Sequence, residues 1–228
     1  MNTSIIISRY NENLNWLDKY KDLNLIIYNK GLNNIRNEFK NLNDLPNIGR
    51  ESHTWLFHII KNYNNLSDVN IFLQGRIDDL GCMAFKSPIK YIKDTKKYGF
   101  SVKRFGLLGP MHWKDYLGIE KDQRYKKDWF NGNIGIKSKG FRKFSKKYFP
   151  KIPILVPTSY GGCFGVSRER IRQYELNFYK KLIKEVEYHS NPIEGHFLER
   201  LWCYMFTKNK FFFRSTKDVL LTKFERLF

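Results

Sequence analysis

The chain has 228 residues, 42% of them hydrophobic and 17% aromatic, and a formal net charge of +19 at pH 7. This length suits one large domain or two small ones with a substantial core, and the aromatic content argues against a disordered chain. No apolar run approaches the roughly 18 residues that span a bilayer, and the amino terminus lacks the basic region and small-residue cleavage site of a signal peptide.

Residues 4–8 form a continuous apolar run, the pattern of a buried strand in a parallel sheet. Polar residues follow, and Asn11 or Asn13 is placed to cap a short helix carrying Leu14, Leu17 and Tyr20. A second strand is predicted over 25–28, stopping at Asn29-Lys30-Gly31; the polar stretch from there to Pro46 has room for one helical turn. Residues 49–63 give the clearest helix. Trp55, Leu56, Ile59, Ile60 and Tyr63 share one stripe, and Glu51, Thr54, His58 and Lys61 lie off it. Residues 70–74 make the third strand. Strands and helices in alternation predict an α/β fold, with a mostly parallel central sheet flanked by helices. The three strands end in polar loops at 9–12, 29–30 and 74–79, so the topology converges those loops on one edge.

From 83 to 151 the pattern loosens. A strand is expected over 100–104, and Gly106, 109–110 and 131–135 read as loops. Residues 137–151 hold seven basic residues and no acid, interleaved with Phe141, Phe144, Tyr148 and Phe149. This composition suits a polyanion or a membrane surface, and equally a solvated loop with a few core anchors. Residues 161–167 combine a glycine turn with a short strand. Ser167 then caps a long helix that carries Ile171, Tyr174, Phe178, Leu182 and Val186 on one face. Asn191, Pro192 and Glu194 resemble an N-cap, N1 and N3 series, opening a helix with Leu198, Leu201, Trp202 and Met205. Residues 211–213 and 219–221 are apolar segments expected to pack on the sheet.

The third strand runs into Asp78 and Asp79, adjacent carboxylates past a strand end, where they are placed to hold a divalent metal and through it a phosphate. A surface turn explains the same two residues. Cys82, Cys163 and Cys203 form no CxxC pair and no zinc spacing, and they leave one over in any disulfide scheme. The simplest reading is a reducing compartment, the cytoplasm. The positive charge favours anionic partners, but AT-rich coding favours the same Asn, Ile and Lys residues, so charge alone identifies none.

Six segments now stand in order: Ile7-Ser8-Arg9-Tyr10-Asn11-Glu12, Tyr28-Asn29-Lys30-Gly31, Gly49-Arg50-Glu51-Ser52-His53, Phe72-Leu73-Gln74-Gly75, Val166-Ser167-Arg168-Glu169-Arg170-Ile171 and Glu199-Arg200-Leu201-Trp202. Together they resemble a family common in fungi and in large DNA viruses. That family is similar to the small glycosyltransferase domain of chlorella viruses, which has the GT-A fold. The resemblance runs from Ile5 to about Phe206 and is weakest between Met83 and Pro157.

The resemblance implies a single GT-A-like domain over 1–228, with 1–81 binding a nucleotide sugar and 157–210 serving the acceptor and catalysis. It implies a glycosyltransferase that uses a nucleoside-diphosphate sugar, a UDP-sugar for preference, and an unidentified glycan, protein or lipid acceptor. Its setting would be the cytoplasm, that of an infected host cell if the protein is viral. Mn²⁺ or Mg²⁺ would sit on Asp78 and Asp79, although Asp79 stands where the family more often has His. His196 would complete the metal shell; a structural histidine is the alternative. Arg9, Lys30 and Arg76 would support the diphosphate electrostatically, and Tyr10 would stack on the base or simply edge the sheet. Asn11, Gln74 and Gly75 belong to the strand-end motifs of the same site. Arg50 would order the site or merely open its helix. Gly161 and Gly162 would admit the sugar close to backbone or only turn the chain. Glu199 and Glu194 are the candidate bases; an ion pair to Arg200 and a capping box, respectively, explain them otherwise. Two competitors stay open: a basic, non-catalytic nucleic-acid-binding protein, disfavoured because no such motif is present, and a metal-dependent phosphoryl-transfer or hydrolytic enzyme.

Overall fold

The computed structural model describes residues 1–32, 39–76, 87–103, 106–109, 116, 119, 123–159 and 161–207. The first half builds β1 (Thr3–Arg9), a 3₁₀ helix (Asn15–Tyr20), β2 (Asn24–Asn29), β3 (Leu42–Asp44), α1 (Arg50–Asn62) and β4 (Val69–Gln74). The continuous runs become the parallel strands, because a strand covered on both faces has no solvent side to keep polar. Register pairs Ile5 of β1 with Leu25 of β2 on one side and Ile71 of β4 on the other.

The second half contributes α2 (Pro88–Tyr98), β5 (Phe100–Val102), β6 (Gly106–Leu108), α3 (Gln123–Phe130), α4 (Phe141–Tyr148), β7 (Val156–Thr158), β8 (Phe164–Ser167), α5 (Arg168–Arg172), α6 (Leu176–Ile183) and α7 (Ile193–Phe206). The main sheet has the order β3-β2-β1-β4-β8-β5, and β6 pairs with β7 apart from it. The chain is thus mixed α/β, with a mostly parallel central sheet flanked by helices. β8 departs from the parallel pattern and runs antiparallel to both β4 and β5.

Side-chain alternation divides the core between the two faces of the sheet. Ile6, Phe72 and Phe164 pack with Trp55 of α1 and with Phe197 and Leu201 of α7. Ile5, Ile7, Ile71 and Leu73 pack on the other face with Tyr91 of α2 and with Leu14 and Leu17. Of the apolar stripe of α1, Trp55, Leu56 and Ile59 are buried and Ile60 and Tyr63 half-buried, and Glu51, Thr54 and His58 from its other side are buried too. Thr54 Oγ1 meets Ser8 Oγ at 3.0 Å, and the Tyr28 hydroxyl meets His58 Nδ1 at 3.1 Å. Polar pairing is what permits that second face to leave water.

Two expectations are corrected and one element is added. The long helix after Ser167 is two helices, α5 and α6, although the Ser167 cap holds and accepts from Arg170 N. Residues 137–151 contain a helix, α4, whose Phe141 and Phe144 are buried while Arg142, Lys143, Lys146 and Lys147 face outward. Helix α2, unread in the sequence, starts at a Ser87 cap and stops at Gly99 in the left-handed region. The tail segments at 211–213 and 219–221 lie outside the described residues.

Candidate functional site

Because β1, β2, β3 and β4 are parallel, Arg9, Asn29, Asp44 and Gln74 end on one edge of the sheet. Antiparallel β8 begins at that same edge, which brings the 161–163 turn there; Gln74 N lies 3.4 Å from Cys163 Sγ. From β1 the chain steps outward through β2 and β3, then returns to place β4 on the other side of β1. That reversal is a topological switch point, where ligands of open α/β sheets bind. A cleft of about 570 Å³ opens there, lined by residues of the loops that follow β1 and β4, among them Tyr10, Glu12, Asn13, Trp16 and Arg76.

Local sequence explains the cleft wall. Arg9 is 2% exposed, and its guanidinium donates to Glu12 O, Leu32 O and Asn29 Oδ1, the last at 2.6 Å. It therefore ties the strand-end loops together instead of facing the cleft. Asn11 Oδ1 accepts from Leu32 N at 2.8 Å and pins the same turn. At Gly31 a Cβ would stand 1.5 Å from Tyr10 O, so only glycine permits this approach. Gly75 closes the floor: its N donates to Ser8 O, its carbonyl accepts Trp16 Nε1 at 2.9 Å, and a Cβ would press on Glu12 Oε2. Tyr10, half exposed, and exposed Arg76 remain at the surface of the cleft.

A second, buried cluster lies along the same edge, where the start of α1 meets α7. Lys30 Nζ donates to Ile48 O and Arg50 O, each at 2.5 Å. Burial, partly offset by the nearby Glu51 carboxylate, pulls its pKa down to about 7. Arg50 takes a left-handed φ of 50°, directly after Gly49 at 63°, a conformation costly for a side-chain-bearing residue. Its Nη1 lies 2.7 Å from His196 Nε2. Arginine can only donate, so the ring accepts there and is neutral. Burial, then Arg50 and Arg200, hold the His196 pKa well below its ordinary value. An imidazole with a guanidinium on its Nε2 is a poor metal ligand, and His196 is fully buried.

The two candidate bases separate cleanly. Glu199 Oε1 accepts from Gly161 N at 2.6 Å and its Oε2 meets Arg200 at 2.5 Å, at the glycine turn on the sheet edge. Gly161 and Gly162 both have positive φ, Gly162 O accepts Trp55 Nε1, and a Cβ on Gly162 would stand 2.9 Å from Glu51 Oε1. Glu194 is fully buried; it accepts from Lys137 N, Ser138 N and the Tyr188 hydroxyl. The cap of α7 is Pro192, with no side-chain cap bond, so Glu194 anchors the 137–138 segment and forms no capping box.

Asp78 and Asp79 lie outside the described residues. Among the described residues no three His, Cys, Asp or Glu side chains gather as a metal set. Cys163 is disulfide-bonded, which departs from the expectation of reduced thiols, and Cys203 is free and buried. Among the described residues no helix is long and apolar enough to cross a membrane. Glu12 belongs to the 9–12 loop expected at this edge, whereas Asn13 was read only as a helix cap and Trp16, in the 3₁₀ helix that follows, was not singled out.

Fold and cleft together define an open-sheet α/β protein with a crevice at its switch point. A sequence model of the family described as "Protein of unknown function (DUF3431)" matches residues 5–80 and 119–220, and the chain belongs to that family. No curated protein and no solved structure matches.

Proposed function

We propose that the protein is a glycosyltransferase of GT-A type that takes its sugar from a nucleoside-diphosphate donor, a UDP-sugar for preference, and delivers it to a glycan, protein or lipid hydroxyl. The observation that carries the reading is the cleft at the β1/β4 switch point, in which Tyr10 and Arg76 stand together. A planar base would stack on Tyr10, and Arg76 would face the diphosphate, whose negative charge grows as the sugar leaves. The resemblance to the chlorella virus domain supports the same assignment, and the mixed sheet is compatible with it.

Within this reading the tethers of Arg9 and Lys30 position the strand-end loops and touch no substrate, while Asn11 pins its turn at the cleft wall. Glu199, held by Gly161 N and Arg200, would take the proton of the acceptor hydroxyl in an inverting transfer, as that oxygen bonds the anomeric carbon and the bond to phosphate breaks. The divalent ion implied by the resemblance would rest on Asp78 and Asp79 and would offset charge on the leaving diphosphate. His196 does not fit that role.

Calorimetric titration with UDP-sugars, with and without Mn²⁺, tests the proposal. Tyr10→Ala should weaken donor binding by about tenfold or more, the scale of one lost base stack. Asp78→Asn should remove the Mn²⁺ dependence and keep the fold. Failure of the wild-type chain to bind any nucleoside diphosphate under either condition would sink the reading.

A further inference from the structure

Away from the cleft, four lysines rim a second groove. It measures about 470 Å³ and runs between α1 and α6, with Phe57, Ile60 and Ile183 on its floor and Lys61, Lys180, Lys181 and Lys184 around it. The basic surface continues past the groove. Lys137 Nζ donates to Lys184 O at 3.3 Å, and buried Glu185 draws in both Lys137, at 3.5 Å, and Lys147, at 2.5 Å. Through Glu185 the lysines of α6 therefore join the outward basic face of α4. At the margin Ile136 and Tyr188 are 48% and 41% exposed, with Lys137 Nζ 5.9 Å from the Tyr188 ring centre. The following residues, His189 and Ser190, accept from Gly49 N and Arg50 N, so the margin adjoins the candidate site.

We infer that this α1–α6–α4 face docks the protein peripherally on an anionic lipid bilayer. Charge complementarity selects the occupant. Four of the six polar residues lining the groove are lysine, with Asn177 and Glu187 the others; lysine is a hydrated point charge suited to diffuse attraction and poor at bidentate phosphate recognition. Apolar groove floor and exposed Ile136 and Tyr188 offer the shallow insertion that a bilayer interface accepts. A single-stranded nucleic acid would stack its bases on a row of exposed aromatic rings, and of the aromatics at this face only Tyr188 is exposed. Here Phe141, Phe144 and Phe149 are buried in the core, and the Tyr148 hydroxyl is tied to Glu185.

Flotation of the full chain with vesicles tests the inference, comparing phosphatidylcholine alone with the same lipid carrying phosphatidylserine. Binding should require the anionic lipid and fall with added salt. Each lysine near such a surface is worth about fivefold in affinity, so K180Q/K181Q/K184Q should weaken binding by about a hundredfold at low ionic strength. The control removes equal charge from the opposite face of the sheet: K90Q/K93Q/K96Q on α2, all exposed, should change binding about twofold or less. Absence of binding to the phosphatidylserine vesicles overturns the inference. So does an equal loss in both triple variants, which would mean undirected attraction by net charge. Tighter binding to a DNA oligonucleotide, lost with the same α6 lysines, would reassign the face to nucleic acid.

Discussion

Glu194 and Glu199 share one helix and are both buried, but their partners place them differently. Glu194 has no exposed surface and spends its oxygens on two backbone N–H groups and the Tyr188 hydroxyl. Glu199 sits at the glycine turn on the sheet edge with one oxygen on Gly161 N and the other on Arg200. Glu194→Gln should therefore lower stability by about 1–3 kcal/mol, since charge-assisted bonds are weakened in a buried place, with turnover per folded molecule unchanged. Glu199→Gln should cut turnover by about a hundredfold or more and keep donor affinity. Denaturant titration and steady-state kinetics on the two variants check this, and a reversal of the two results would exchange the roles. Residue type alone could not separate these two, because backbone N–H groups far away in sequence, those of residues 137 and 138 for Glu194 and of Gly161 for Glu199, decide them. The same holds for Arg9 and Lys30: the sequence shows a cation at a strand end, and only the fold shows carbonyl groups already holding it. Tyr10, Asn11 and Arg76 were legible, because a loop after a parallel strand at a switch point has little choice but to face the crevice.

Among elements, legibility followed the length of the buried pattern. β1, β2, β4 and α1 carry long apolar runs or stripes and stand where the sequence put them. Strand direction is not written in a short apolar run, which is why antiparallel β8 was unforeseen. β3, only three residues with none fully buried, gave no pattern to read. The period through Ile171, Tyr174, Phe178 and Leu182 continues across a break because α5 and α6 pack on the same core. Helix α4 shows how a basic run hides an amphipathic one. Its Phe144 ring lies 5.5 Å from that of Phe197 on α7 and 5.3 Å from Tyr148. Phe144→Ala should cost about 3–5 kcal/mol, as for a large ring removed from a packed core. Lys143→Gln, on the outward face, should stay within about 0.5 kcal/mol. Urea unfolding midpoints of the pair provide the measurement; similar values for both would mean that α4 is not packed on α7.

For the whole molecule, buried bases set how stability follows pH. Burial first, then Lys30 and Lys61 respectively, pulls His53 and His58 down to about 4 from an ordinary 6.5; His196 is lowered as well. In the unfolded chain these rings gain protons as pH falls through 6.5, whereas in the folded chain they stay neutral until near 4. The unfolded state thus binds more protons across that window, and stability must fall as pH is lowered through it. Lys30 acts with the same sign higher up: lowered to about 7 from 10.5, it is neutral in the folded chain while still protonated in the unfolded one. Lys30 therefore contributes stability that rises with pH from 7 toward 10.5, and at the alkaline end the Cys203 thiol and the Tyr28 and Tyr91 hydroxyls, all pushed up by burial, act in the opposite sense. One pKa unit corresponds to about 1.4 kcal/mol, so His53 and His58 can each contribute about 1–3 kcal/mol to the acid loss. His53 gives the sharpest test, because its ring stacks on Phe57 and its buried Nδ1 has no hydrogen-bond partner. His53→Phe keeps a stacking ring and removes the titration. Unfolding free energies measured by urea between pH 4.5 and 6.5 should show a slope shallower by about one proton in the variant than in the wild type. An unchanged slope would mean that His53 titrates alike in both states, and that the start of α1 is open to water.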